Sequence, residues 1–507
     1  MAQIFLSFSL LALILASGSS MANTPPGYSS YNDQTECQNP ARILAPRNIG
    51  ELQSIVRQAY ASKTRVRFIG ALHSTSSLIC GTEIVIRSTA FNRILGIERL
   101  GDDTVVHVES GVSIGELAEY LDRTGYTLGF AYPDSRLPTV GGVLGTGVHG
   151  SSLKHPALIS QLLREVTLVS AKGDKLIVSD PSSKIFRAAK TNLGLLGFVA
   201  AAKFKVYPQF NVEMRNEYFK ASDLINERDK TVRWGHDCEH ELYSWFPSID
   251  RFVRLCGNKT SRAPDAGAEN MTLANFPEGA ERHLMSFAAK LGKNNKSINC
   301  KLEETRFGAF EKEPPLVQLD KDGEEVFTTL AVGPSHKMLT SRTEEIPESL
   351  DSFDWSLSFA KKDSYDVLSF IKTYVKARRL CFPFAGIVFR FANRDDGAMI
   401  AHVEGGKEGE ERVMLEFFDY MPSKAKKNAS YARDTRYYGE VHGLVRELIS
   451  RFGAAPHWGK NAEWVFRYAN LKALYNKDWE AFKQTARELD PDGMFSNEFT
   501  DSAIFHR

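Results

Sequence analysis

The sequence predicts an α+β fold in more than one domain, and three observations predict it. Between Pro40 and Pro208, short β-branched runs (RVRFIG, EIVIRS, TVVHVES, VTLVSA, KLIVSD, FVAAAKFKVYP) surround two stretches of helical period, IGELQSIVRQAYA and SIGELAEYLDRTG. From about Gln209 to Ser450, longer strand and helix patterns are broken by charged loops such as GGKEGEER and SKAKKNAS, which read as solvated faces. Size is the third observation: 507 residues exceed what one core of about 150 residues needs, so two or three cores are expected.

The first element, residues 1–22, carries an apolar run from Ile4 to Ala16 that ends in small residues and leads into the turn-rich NTPPGYSSYND. That pattern predicts an export signal cut between Gly18 and Asn23, although the usual basic start is missing. The run is too short to cross a bilayer and no later apolar run reaches about 18 residues, so no span is expected in the mature chain. The cysteines (Cys37, Cys80, Cys238, Cys256, Cys300, Cys381) form an even set with no CxxC pair and no His at zinc spacing. Disulfides are therefore expected rather than a metal site. Sequons at Asn258, Asn270, Asn295 and Asn428 lie in polar stretches that would tolerate a glycan. These features together predict a secreted or vacuolar glycoprotein.

The second element, residues 38–210, holds three glycine-bearing segments. Arg67 to Ser76 (RFIGALHSTS) runs from a strand into a loop with Gly70, Ala71, Leu72, His73 and the hydroxyls of Ser74, Thr75 and Ser76. Thr139 to Gly150 (TVGGVLGTGVHG) contains Val140, Gly141, Gly142, Gly145, Thr146, Gly147, His149 and Gly150. So many glycines argue against a helix and for a turn whose backbone N–H groups cradle a pyrophosphate. The segment is neither a Walker loop nor a GxGxxG opening a βαβ unit. Asn192 to Val199 places Gly194 and Gly197 in an apolar run where backbone can pass close to a flat ligand.

The third element, residues 211–450, contains one cation inside an apolar run, Arg390 of GIVFRF, where a buried charge is costly unless it is paired or faces a ligand. The fourth, residues 451–507, holds PHWGK, the amphipathic NKDWEAFKQTARELD and a turn at DPDGMF. Lys+Arg 63 against Asp+Glu 62 gives +1, which provides no field for a phosphate backbone, so a nucleic-acid partner is not expected.

Taken in order, these segments resemble the vanillyl-alcohol oxidase family of flavoproteins, in its aldonolactone oxidase branch. The resemblance runs from about Asn39 to Asp501 and rests on GALHS, TVGGVLGTGVHGSS, LGLLGFV and PHWGK with the tail LDPDGMFSNEFTD. It implies a two-lobed FAD-binding domain followed by a mixed α+β substrate (cap) domain, with the C-terminal segment returning to the flavin. It further implies FAD joined covalently through His73, and cofactor contacts from the residues just named together with Val199. Lys460, Arg390 and His457 would act at the reactive edge on a small hydroxylated substrate, with oxygen or another acceptor taking the electrons. Thr139 matches a substrate-contact position of the branch. The family strand reads Glu-x-Arg where this chain has Val388-Phe389-Arg390. The resemblance alone thus predicts a missing acidic partner, and leaves open a less polar alcohol or amine substrate or a catalytically altered flavin protein. It also implies a Cys37–Cys80 disulfide. Among the other four the pairing stays open, with Cys238–Cys256 favoured because the two are close in sequence and Cys300–Cys381 then left by elimination.

Overall fold

The computed structural model describes residues 27–272, 295–342, 352–395, 397–404, 410–420 and 436–505. Its first part is built on two small sheets. Strands β1 (Arg42–Leu44), β2 (Val66–Ile69) and β3 (Ile84–Arg87) form a parallel sheet with β3 in the middle. Helix α1 (Ile49–Ala61), capped by the Asn48 side chain on the Glu51 N–H, packs Leu52, Val56 and Ala59 against it. The second sheet is antiparallel: β4 (Ile94–Leu100), β5 (Asp103–Glu109), β6 (Leu163–Val169), β7 (Lys175–Val178) and β8 (Phe198–Lys205), in the order β7-β6-β8-β5-β4. Strand β8 serves two cores because successive side chains point to opposite faces and a bulge between Val199 and Ala201 exchanges those faces along the strand. Phe198 and Ala200 join the α1 core, whereas Val199, Ala202 and Phe204 join a second core with α2 (Ile114–Arg123).

The cap is built on an eight-stranded antiparallel sheet, with a second, three-stranded sheet formed by Glu269–Asn270, Leu316–Leu319 and Glu325–Thr328. The strands of the larger sheet are β9 (Asn211–Lys220), β10 (His240–Phe246), β11 (Arg251–Thr260), β12 (Leu330–Pro334), β13 (Ser352–Ala360), β14 (Ile387–Asn393), β15 (Glu411–Tyr420) and β16 (Ala455–Pro456), ordered β12-β9-β11-β10-β14-β15-β13-β16. The period of two decides what each face does. Phe353, Trp355 and Leu357 of β13, Ile387, Phe389 and Phe391 of β14, and Val413, Leu415 and Phe417 of β15 enter one apolar core. Val367, Ile371, Val441 and Leu448 of two covering helices, Ser364–Arg378 and Arg436–Phe452, close that core. The alternate residues, among them Asp354, Val388, Arg390 and Glu416, therefore turn toward the first sheets.

One expectation fails. The glycine-rich segment forms a short helix, α3 (Val140–Thr146), between the Thr139 cap and Gly147 at φ 71°. Burial outweighs propensity here: Val140, Val143 and Leu144 enter the core, and the Thr139 hydroxyl accepts from the Gly142 N–H at 3.4 Å. Asn270 is a second correction. It is buried and its amide donates to the Met338 carbonyl at 3.1 Å, so a glycan has no room there. The apolar leader and Asn428 lie outside the described residues.

The three expected disulfides are present: Cys37–Cys80, Cys238–Cys256 and Cys300–Cys381. The first closes a loop of 43 residues. Replacing Cys37 and Cys80 together by Ser should lower unfolding stability by about 4 kcal/mol on chain-entropy grounds. A urea titration reads this, and an unchanged midpoint would show that the bond constrains nothing in the unfolded chain.

Candidate active site

Strand β2 ends at Gly70, where an added Cβ would collide with the Thr139 hydroxyl, so the strand can meet the α3 cap only as glycine. The loop then turns through Leu72 at φ 56°, a left-handed conformation that costs a non-glycine residue energy. His73 follows, stacked on Tyr31 with ring centres 4.2 Å apart and planes 14° from parallel. Its Nδ1 is buried without a partner, and burial with the nearby Lys460 charge pushes the ring down to about 3, so it is neutral. Thr75 and Ser76 are turned away from the cavity. The Thr75 N–H donates to the Gly459 carbonyl at 2.7 Å and the Ser76 hydroxyl to that of Trp458 at 2.7 Å, which ties the loop to PHWGK.

Gly141, Gly142, Gly145 and Thr146 of α3 line the cavity, as do Thr139, Gly197 and Val199. Nothing lies within 4 Å of where a Gly145 Cβ would project, so a side chain there would fill the cavity itself. Val140, Gly147 and Gly150 do not line it: Val140 is core, Gly147 ends α3, and a Cβ on Gly150 would collide with the Tyr132 carbonyl.

Across the cavity stands a buried charge cluster. In the sheet register Val388 lies opposite Glu416, and Ser356 is opposite Glu416 on its other side. Arg390, Glu416 and Asp354 consequently run diagonally across β14, β15 and β13 on one face. Arg390 bonds Glu416 and meets Asp134 at 2.9 Å; Lys460 meets Glu416 Oε1 at 2.7 Å and Asp354 Oδ2 at 3.3 Å. The acidic partner expected to be missing at Val388 is thus supplied one strand over, by Glu416, with Asp134 on the other side. Burial pulls Glu416 upward, but Arg390 and Lys460 outweigh it and hold it well below the usual carboxylate range. Burial wins at Asp354, which is pushed up to about 6 against the pull of Lys460, and its Oδ1 has no partner. Three carboxyl groups face two cations, so one carboxyl is in surplus.

His149, His402 and His457 crowd behind this cluster with ligand atoms within 4.8 Å of one another. All are neutral because burial pushes each well below its ordinary value. The Gly459 N–H donates to His457 Nδ1 at 3.0 Å, which places that ring's proton on Nε2 and leaves it no lone pair for a metal. His149 Nδ1 lies 2.9 Å from the Gly150 carbonyl and so carries its proton there. His149 Nε2 and both ring nitrogens of His402 are buried without a partner. His457 and His149 also line the cavity, His402 does not.

All these walls enclose one cleft with about 1910 Å³ of empty space, part of it open to solvent. It suits a long cofactor with a polar middle: Ser88 and Ser110 hydroxyls, Arg67 Nε and His73 Nδ1 line it and are buried without partners. A glycine-lined cleft between a small α/β lobe, an antiparallel lobe and a cap sheet is the architecture of the flavoprotein oxidoreductases that resemble vanillyl-alcohol oxidase. Residues 40–179 match the FAD-binding domain family and residues 202–503 match the D-arabinono-1,4-lactone oxidase family. The chain belongs to the latter family and is an FAD-dependent oxidoreductase. L-gulonolactone oxidase of Scyliorhinus torazame is 23% identical, aligned over 94% of this chain and 99% of that one. Probable L-gulonolactone oxidase 1 of Arabidopsis thaliana is 26% identical over 96% and 84%. A solvent-stable cholesterol oxidase superposes with TM-score 0.73 at 15% identity, covering 94% and 97%, which speaks to the fold.

Sequence reasoning overlooked Tyr31, Asp134, Asp354 and Glu416. Asp354 in SFDWSLSFA and Glu416 in RVMLEFFDY carry the signal that drew attention to Arg390, a charge inside an apolar run. Removing one member of such a cluster leaves buried charge uncompensated. Glu416→Leu should destabilise by about 3 to 5 kcal/mol, and adding Arg390→Met should recover part of the loss. Chemical denaturation of the three proteins measures both, and a fully additive double variant would contradict the pairing.

Proposed function

We propose that the protein is an exported oxidase that converts a carbinol of an aldonolactone-like substrate to a carbonyl, using FAD joined to His73 and dioxygen as acceptor. The observation that carries this reading is the Arg390–Glu416–Lys460–Asp354 diagonal facing the glycine-lined cleft. FAD, when bound, supplies the hydride acceptor. Lys460 and Arg390 provide positive charge where anion develops, and that charge is already oriented by Glu416, Asp134 and Asp354. Asp354 Oδ1 is free to accept the hydroxyl proton, and Lys460 would stabilise the pair. Glu416 retains a carboxylate beside Arg390, which supports a hydroxylated substrate. The apolar wall of Val388, Leu242, Phe310 and Phe418 favours a second reading, a substrate with fewer hydroxyls at that end. The leader from Ile4 to Ala16 and the three disulfides support export.

Anaerobic mixing with a panel of aldonolactones and simpler alcohols should bleach the flavin, and air should then yield hydrogen peroxide. No bleaching by any hydroxylated lactone would overturn the substrate class. Lys460→Met and Arg390→Ala should slow reduction about 10²- to 10³-fold while flavin stays bound. Asp354 accepts a proton only when ionised, and its folded value is raised to about 6 with Lys460, Glu416 and Arg390 facing it. The rate of reduction should therefore rise as pH climbs through about 6, and Asp354→Asn should be slow at every pH. An unaltered pH profile in that variant would remove Asp354 from the role.

A further inference from the structure

The N-terminal arm, Tyr28 to Cys37, precedes both family-matched stretches, yet its Tyr31 lines the cleft. It is fixed at several points. Tyr28–Ser29 pairs with Glu36–Cys37 as a hairpin, and Cys37 is bonded to Cys80 beyond the flavin loop. The Tyr31 N–H donates to the Leu72 carbonyl at 3.0 Å, and the Thr35 hydroxyl to that of Thr75 at 2.6 Å. Toward the cap, Asn32 Nδ2 donates to the Ser352 carbonyl at 3.1 Å, while Gln34 Oε1 accepts the Asp354 N–H at 2.6 Å. The arm therefore grips the His73 loop from both sides of His73 and anchors it to the strand that carries Asp354.

Tyr31 is the part that touches His73. Its ring covers one imidazole face, while burial and then Asp354 and Glu416 keep its phenol protonated. The covered loop is also strained, with Leu72 left-handed immediately before His73. The neutral imidazole lies face to face with the Tyr31 ring. Stacked, it keeps one orientation, with Nδ1 unpartnered at the cleft.

We infer that Tyr31 is a positioning residue for cofactor attachment: its stacking on His73, enforced by the disulfide-tethered arm, sets how completely FAD becomes covalently joined. The inference rests on the covalent link proposed above. In that link a His73 ring nitrogen bonds to the 8α carbon of FAD, one N–H and one C–H hydrogen are lost, and dioxygen takes both with two electrons to give hydrogen peroxide.

The test compares wild type, Tyr31→Phe, Tyr31→Leu and Tyr31→Ala, each loaded with FAD as intact chain. Flavin is measured in the acid-precipitated pellet and in the supernatant, and folding is checked by the intact Cys37–Cys80 bond in non-reducing peptide maps. Tyr31→Phe keeps the ring and should attach flavin like wild type. Tyr31→Ala and Tyr31→Leu should bind FAD but attach about 2- to 10-fold less in the same time, the change an aromatic stack supports. Leu preserves volume, so it decides the matter if Ala is not recovered folded. Wild-type attachment in the Leu variant would overturn the role of Tyr31. Complete release of flavin from wild type would instead overturn the covalent link, and the inference with it.

Discussion

Everything at the cleft depends on keeping the buried Arg390 and the half-buried Lys460 charged beside one another. Removing an ion from water costs several kcal/mol even after relaxation, so neither cation can stand there alone. The chain answers with three carboxyls drawn from separate places: Asp134 in the connection between α2 and α3, Glu416 on β15 and Asp354 on β13. Lys460 itself arrives from the segment after β16, which is bound to the flavin loop through Thr75 and Ser76. The ion cluster is thereby also a seam, joining the first sheets, the cap and the C-terminal segment at the point where substrate would enter.

Much of this was legible in the sequence because period and punctuation survive folding. IGELQSIVRQAYA became the helix Ile49–Ala61, and PHWGK returned to the cleft beside GALHS. The glycine-rich segment was misread because propensity was weighed without burial. Its Val140, Val143 and Leu144 at helical spacing were the better guide. Asp354 and Glu416 were not found, since their meaning lies in register: only the pairing of β14 with β15 puts Glu416 opposite Val388. Nothing in the turn-rich arm around Tyr31 marks it as part of a cleft, because its role comes from a disulfide and contacts more than 300 residues away, as between Asn32 and Ser352.

The pairing of Val388 with Glu416 shapes what the cleft offers. A sheet places cross-strand neighbours about 4.5 to 5.5 Å apart, so an acid one strand over from Val388 keeps contact with Arg390. Glu416 serves Arg390 and Lys460 together, which ties the two cations into one unit, and Val388 becomes an apolar step next to Phe418. The polar grip and this apolar step thus stand side by side on one face of the cap sheet.

The surplus carboxyl is the last consequence. With Glu416 held ionised by both cations, the unmet demand falls on Asp354, whose Oδ2 leans on Lys460 and whose Oδ1 has nothing to accept from. A buried acceptor without a donor is costly, and a hydroxyl entering the cleft relieves that cost by donating to it. The site is therefore incomplete by one hydrogen-bond donor. In the proposed reading an alcohol hydroxyl supplies that donor, and the same bond would set up the proton's departure as the C–H bond breaks. In the proposed reading the cofactor is held by different residues, His73 and the glycines of α3, so a fault in the charge cluster and a fault in cofactor attachment would be separable failures of the same molecule.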